Sequence, residues 1–226
     1  MKTYIEKRKS AILLRKKGYS YSYIQKTLSI SKSTINYWLA DVPYVPNEET
    51  IRFIGEARAA SGAAKNRIRL LSIQEAKAEA LKKLGSLSQR DIFLLGLGLY
   101  IGEGSKTDGI VRITNSDYRI IQFAILWFKN SFFLGTKNFS VRLHLYPDTN
   151  EKEALDFWFQ KIGIPLGQFQ KSQVDYRQDK KVSRRGKLPY GTAHLSIRSG
   201  GVREFGVFLS REISAMMDSV LENPRV

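Results

Sequence analysis

The sequence predicts an α+β fold: an all-helical N-terminal region, a long basic linker helix, then a curved antiparallel sheet with helices on one face. Three observations predict it. Residues 5–39 divide into short amphipathic segments separated by Gly18 and by serines able to cap helices. Residues 48–84 are rich in Ala, Lys, Arg and Glu and contain no proline. Beyond residue 109, runs of period two alternate with runs of helical period.

In order along the chain, residues 5–17 form a helix stopped by Gly18, residues 21–28 one capped by Ser20, and residues 31–39 one opened by Ser31. Ile24, Leu28, Ile30, Ile35, Trp38 and Leu39 are spaced to share one apolar patch. Pro43 and Pro46 end this first region, residues 1–42, and residues 43–87 form a basic helical linker that Gly55 or Gly62 could break. Ser88 caps an apolar helix that opens the third region, residues 88–226. Strands are expected at 109–114, 139–146, 169–177 and 191–198, and helices at 117–133, 151–162 and 202–217.

With 226 residues, 42% of them apolar, the chain can build a sizeable core. Its 37 Lys and Arg against 21 Asp and Glu leave a net charge of +16, which suits a polyanionic partner. The excess is concentrated in residues 1–90, which carry 18 basic and 7 acidic side chains, while residues 91–226 carry 19 and 14. No cysteine is present, so disulfides, thiolate metal sites and cysteine nucleophiles are excluded, and a reducing cytoplasmic setting is expected. The longest apolar run, residues 92–102, is half the length a membrane-spanning helix needs.

Residues 20–39, SYSYIQKTLSISKSTINYWL, resemble the helix-turn-helix of bacterial DNA-binding proteins. Gln25 and Ser29 depart from that pattern, standing where a small residue and a glycine are usual. The resemblance implies that the third helix enters the major groove, with Ser31, Lys32, Ser33, Asn36 and Tyr37 facing bases and phosphates. Basic side chains at positions 7–9 and 15–17 would add backbone contacts.

Residues 94–106, LLGLGLYIGEGSK, place Gly96, Gly98 and Gly102 inside an apolar helix, although each interior glycine costs about 1 kcal/mol relative to alanine. Gly98 and Gly102 share a face that a second backbone could approach. Glu103 puts a negative charge at the wrong end of the helix dipole, a conflict that a bound cation or a basic group would relieve. The stretch GLGLYIGEG resembles the signature of LAGLIDADG homing endonucleases, matching at Gly98, Leu99 and Gly104, with Glu103 replacing the final acid. The resemblance implies a LAGLIDADG-like saddle over residues 88–226, a homodimer crossing at Gly98 and Gly102, and Glu103 holding a divalent metal.

Strand alternation adds a further surface. Val111, Ile113, Phe139, Val141, Leu143, Leu145, Val174, Tyr176, Ala193, Leu195 and Ile197 are expected to face the core. Arg112, Arg142, His144, Lys171, Gln173, Arg177, His194 and Arg198 then lie on the opposite, mainly cationic face. The hairpin loop expected over residues 177–187 adds six basic residues, including Arg177, Lys180, Lys181, Arg184 and Arg185, against one acid.

Two functions from different classes share these residues. The favoured one is a dimeric regulator that binds double-stranded DNA in the cytoplasm, associated with the nucleoid. The alternative is a homing-type endonuclease using Mg²⁺ at Glu103, with Lys171, Arg112 or Arg198 stabilising phosphate charge. A third reading, single-strand or RNA binding, would use base stacking on Tyr19, Tyr21 and Tyr23.

Overall fold

The structure, a computed structural model, describes residues 3–176 and 188–222. It has the expected α+β character and divides into two compact units, Met1–Ser86 and Leu87–Val226.

The first unit is helical. Helix α1, Tyr4–Lys16, starts in a capping box: the Thr3 amide donates to Glu6 Oε2 at 2.7 Å and the Glu6 amide to Thr3 Oγ1 at 3.3 Å. Ser20 and Ser31 cap α2, Tyr21–Leu28, and α3, Lys32–Trp38. Ser29, in the turn between them, takes the left-handed conformation with φ of 51°, which accounts for glycine being usual there. Ala11, Ile24, Leu28, Ile35, Trp38 and Leu39 form the small core. Helix α4, Glu48–Ile54, stops at Gly55, where α5, Glu56–Leu84, begins.

The segment read as a linker is tied to the helices before it. Asn47 Nδ2 donates to the Lys17 carbonyl and Thr50 Oγ1 to the Gly18 carbonyl, each at 2.8 Å, and Asn66 Oδ1 accepts from the Tyr44 amide at 3.0 Å. A Cβ on Gly18 would lie 2.5 Å from the Asn47 amide nitrogen, so this contact requires glycine.

In the second unit, helix α6, Gln89–Glu103, leads to strand β1, Arg112–Asn115, then α7, Tyr118–Phe132, β2, Phe139–Leu145, and α8, Glu151–Ile162. Strand β3, Gln173–Val174, strand β4, Thr192–Ile197, and helix α9, Val207–Glu222, complete it. The sheet order is β1-β4-β2-β3. Strand β4 is antiparallel to both β1 and β2, but β3 runs parallel to β2. The sheet is therefore mixed and not wholly antiparallel, because α8 acts as a crossover that returns the chain in its original direction.

Ile113, Val141, Leu143, Ala193 and Leu195 turn to the helical layer, where they join Trp127, Phe128 and Trp158 in one buried cluster. Residues 109–111 and 191 fall outside the regular strands, and among the described residues the strand expected over 169–177 contracts to two. The final helix also starts later than expected, at Val207, after a 3-10 turn over Arg203–Phe205.

Candidate nucleic-acid interface

The polar face of the sheet is built by strand register. Arg112, Ser196 and Ser140 form one rung across β1, β4 and β2; Thr114, His194 and Arg142 form the next; Thr192, His144 and Gln173 form a third across β4, β2 and β3. Residues opposite one another on paired strands share a face. The result is a concavity of about 300 Å³ lined by these arginines, histidines and serines together with Gln170, Gln173 and Arg198. Among the described residues no carboxylate lines it. Arg112 is oriented by a 3.0 Å hydrogen bond from its Nε to Ser196 Oγ.

Among the expected residues, Arg112, Arg142, His144, Gln173, His194 and Arg198 thus converge. Lys171 does not. It is exposed, stands outside strand β3 and does not line the concavity. Phe169 bridges Val141 and Gln173 pairs with His144, so four residues on one side span what three span on the other. That extra residue shifts the alternation, and Gln170 joins Gln173 in the concavity. The core assignment of Tyr176 fails for a different reason: β3 ends at Val174, and Tyr176, beyond it, is 74% exposed.

Strands β3 and β4 do not pair, since β2 separates them, so the hairpin expected around the basic loop is corrected as well. Arg177, Lys180, Lys181, Arg184 and Arg185 lie outside the described residues. Ser140 and Ser196 were missed by the sequence reading, although they share the alternation phase of Arg142 and Arg198. Gln170 had no such signal, because its position depends on the extra residue.

In the helical unit, Ser31, Lys32, Ser33, Asn36 and Tyr37 are all exposed, while Ile35 and Trp38 are buried. Lys32, Ser33, Asn36 and Tyr37 fall one helical turn apart in pairs and present one polar face. Ser31 is partly committed as a cap, accepting from the Thr34 amide at 3.2 Å. Gln25 points to solvent, so its size is accommodated.

Arg15 is not a free basic residue. It is buried, with its guanidinium 4.2 Å from the Tyr21 ring centroid and 3.5 Å from that of Tyr44. Tyr21 also donates to the Leu39 carbonyl at 3.2 Å, and Tyr19 and Tyr23 stack on each other at 4.2 Å. Internal contacts thus engage all three tyrosines expected to stack on unpaired bases.

Helix α6 shows how different its glycines are. A Cβ on Gly96 would lie 2.0 Å from the Trp127 ring, so this glycine admits α7. Gly98 and Gly102 are exposed with open space around them, and Leu94 and Leu95 on the same helix are 44% and 49% exposed. The charge conflict at its C-terminus has a local answer: Lys106 Nζ donates to the carbonyls of Tyr100 at 2.9 Å and Gly104 at 2.8 Å.

Glu103 is exposed and does not line the concavity. Among the described residues no group of three or more His, Asp or Glu is placed to hold a metal ion. A lone carboxylate, at a helix end whose carbonyls an ammonium already occupies, does not fit a divalent ion within one chain.

Among the described residues no helix is long and apolar enough to cross a membrane. Comparison with protein-family models, curated proteins and solved structures finds no match for this chain.

Proposed function

We propose that the protein binds double-stranded DNA as a dimeric, sequence-reading regulator. The observation that carries this reading is the concave sheet face, where Arg112, Arg142 and Arg198 converge and, among the described residues, no carboxylate joins them. Such a surface is complementary to phosphate and supplies salt-dependent affinity. The exposed face of α3 supplies the groups that can discriminate bases: Asn36 is suited to adenine, and Lys32 to guanine or phosphate.

The open glycine face of α6 supports pairing of two copies, because Gly98 and Gly102 would let a second helix approach closely. Sedimentation of the wild type and of Gly98→Leu tests this. A dimer that becomes monomeric in the variant is expected, and a monomeric wild type refutes the pairing.

The DNA-binding reading itself is tested by selection from a random duplex pool. Enrichment of a two-fold symmetric site is expected, and failure to retain any duplex at low salt refutes it. Cleavage is the second reading, and it needs Glu103 from two copies to share an ion. Supercoiled plasmid carrying the selected site, incubated with Mg²⁺ or Mn²⁺, should be bound without nicking. Nicking that disappears in Glu103→Gln would establish the endonuclease instead.

A further inference from the structure

The two histidines of the chain lie 50 positions apart in sequence, and the sheet brings them together. His144 and His194 are diagonal neighbours across β2 and β4, with ring centroids 3.8 Å apart and planes within 8° of parallel. The concavity they line also receives Arg112 from β1, Arg142 from β2, Gln173 from β3, and Ser196 and Arg198 at the end of β4. Among the described residues Asp175, just beyond β3, is the acid that acts on His144.

These surroundings disfavour a proton on either ring. Burial first, then Arg142 and Arg112, holds the His144 imidazole below its ordinary value, against a smaller opposing effect of Asp175. Burial, then His144, Arg112 and Arg142, pushes His194 down to about 4. An incoming phosphate reverses the electrostatic part, since it neutralises the arginines and offers an acceptor to a ring N–H.

Building on the DNA-binding reading, we propose that the concave face contains a seat for one phosphate group, held by Arg112, Arg142 and Arg198, in which the stacked His144–His194 pair takes up a single proton on binding. The uptake stops at one because two imidazolium rings in face-to-face contact would repel each other. The sign follows from linkage: a group whose pKa is low in the free protein and raised in the complex is protonated by binding. Affinity therefore strengthens as pH falls through the raised value and levels off below the free one.

The chain suits a direct test, because with no cysteine and only these two histidines, no other side chain ordinarily titrates between pH 5 and 8. The imidazole Cε1–H resonances of the full chain are followed against pH in three states: free, saturated with a random-sequence duplex, and in sulfate, which does not itself titrate in this range. One midpoint should rise by about one unit or more with either anion. Duplex affinity at constant ionic strength should tighten about tenfold between roughly pH 7.5 and pH 5.5, for one imidazole returned to its ordinary value. The paired variant His144→Gln with His194→Gln should lose that dependence, whatever affinity it keeps, its duplex affinity changing less than about twofold over the same pH range.

Duplex bound with both midpoints unmoved overturns the phosphate seat and leaves the DNA-binding reading intact. A midpoint raised by sulfate in a protein that binds no duplex overturns that reading and retains the seat for a free anion. Midpoints unmoved by either probe overturn the seat.

Discussion

The two units present their candidate contacts by different physical routes. In Met1–Ser86 the exposed face of α3 lies within residues 32–37, and one helical turn suffices to align it. In Leu87–Val226 the arginines and histidines come from strands as distant as β1 and β4, and only hydrogen-bonded register puts them on one surface. The helical face thus depends on local conformation, whereas the concave face depends on the whole sheet and the helices packed behind it. Damage to packing should therefore abolish one surface and spare the other.

The largest effect is expected from Gly96→Ala, which would drive a Cβ into the Trp127 ring. The second unit should lose about 3 kcal/mol of stability. In urea, the fluorescence transition of Trp127 and Trp158 should come earlier, while that of Trp38, which belongs to the core of the first unit, stays in place. If both transitions move together, the two units do not unfold independently and the contrast fails.

Next in size, Asn36→Ala should cost about 1–3 kcal/mol on the selected site and relax specificity at one base pair. Equal losses on selected and random duplex, measured by fluorescence anisotropy, would remove Asn36 from base readout. Arg142→Ala should behave in the opposite way. It should weaken all duplexes alike and reduce the salt slope by about 1. A loss confined to one sequence would make the concave face a base reader.

The smallest effect sharpens the local side of the contrast. Ser29→Gly should raise the stability of the helical unit by about 1 kcal/mol, because Ser29 occupies a left-handed conformation that glycine adopts without steric cost. A thermal melt showing destabilisation would mean that the serine side chain makes a compensating contact.

Legibility in the sequence follows the same division. Residues 21–28 and 151–162 form helices with the expected boundaries, since caps and apolar spacing are local signals. The inward phase of β2 and β4 was equally readable, because Val141, Leu143, Ala193 and Leu195 alternate with polar neighbours. Lys171 is misplaced because one extra residue opposite β2 inverts the phase, and no local feature of residues 169–173 announces it, whereas Tyr176 is misplaced because β3 stops at Val174. Arg15 looked like another exposed cation until Tyr44, well outside its helix, was found to cover it.

By itself, the sequence determined the α+β class, the helical caps and the excess of cationic side chains. Each depends on composition or on spacings of at most four residues, which backbone geometry converts directly into structure. Tertiary structure alone decided the parallel pairing of β3, the stacking of His144 on His194, and the separation of Gly96, packed on Trp127, from Gly98 and Gly102 in open space. Those outcomes depend on which distant segment arrives opposite a residue, and chain periodicity carries no record of that.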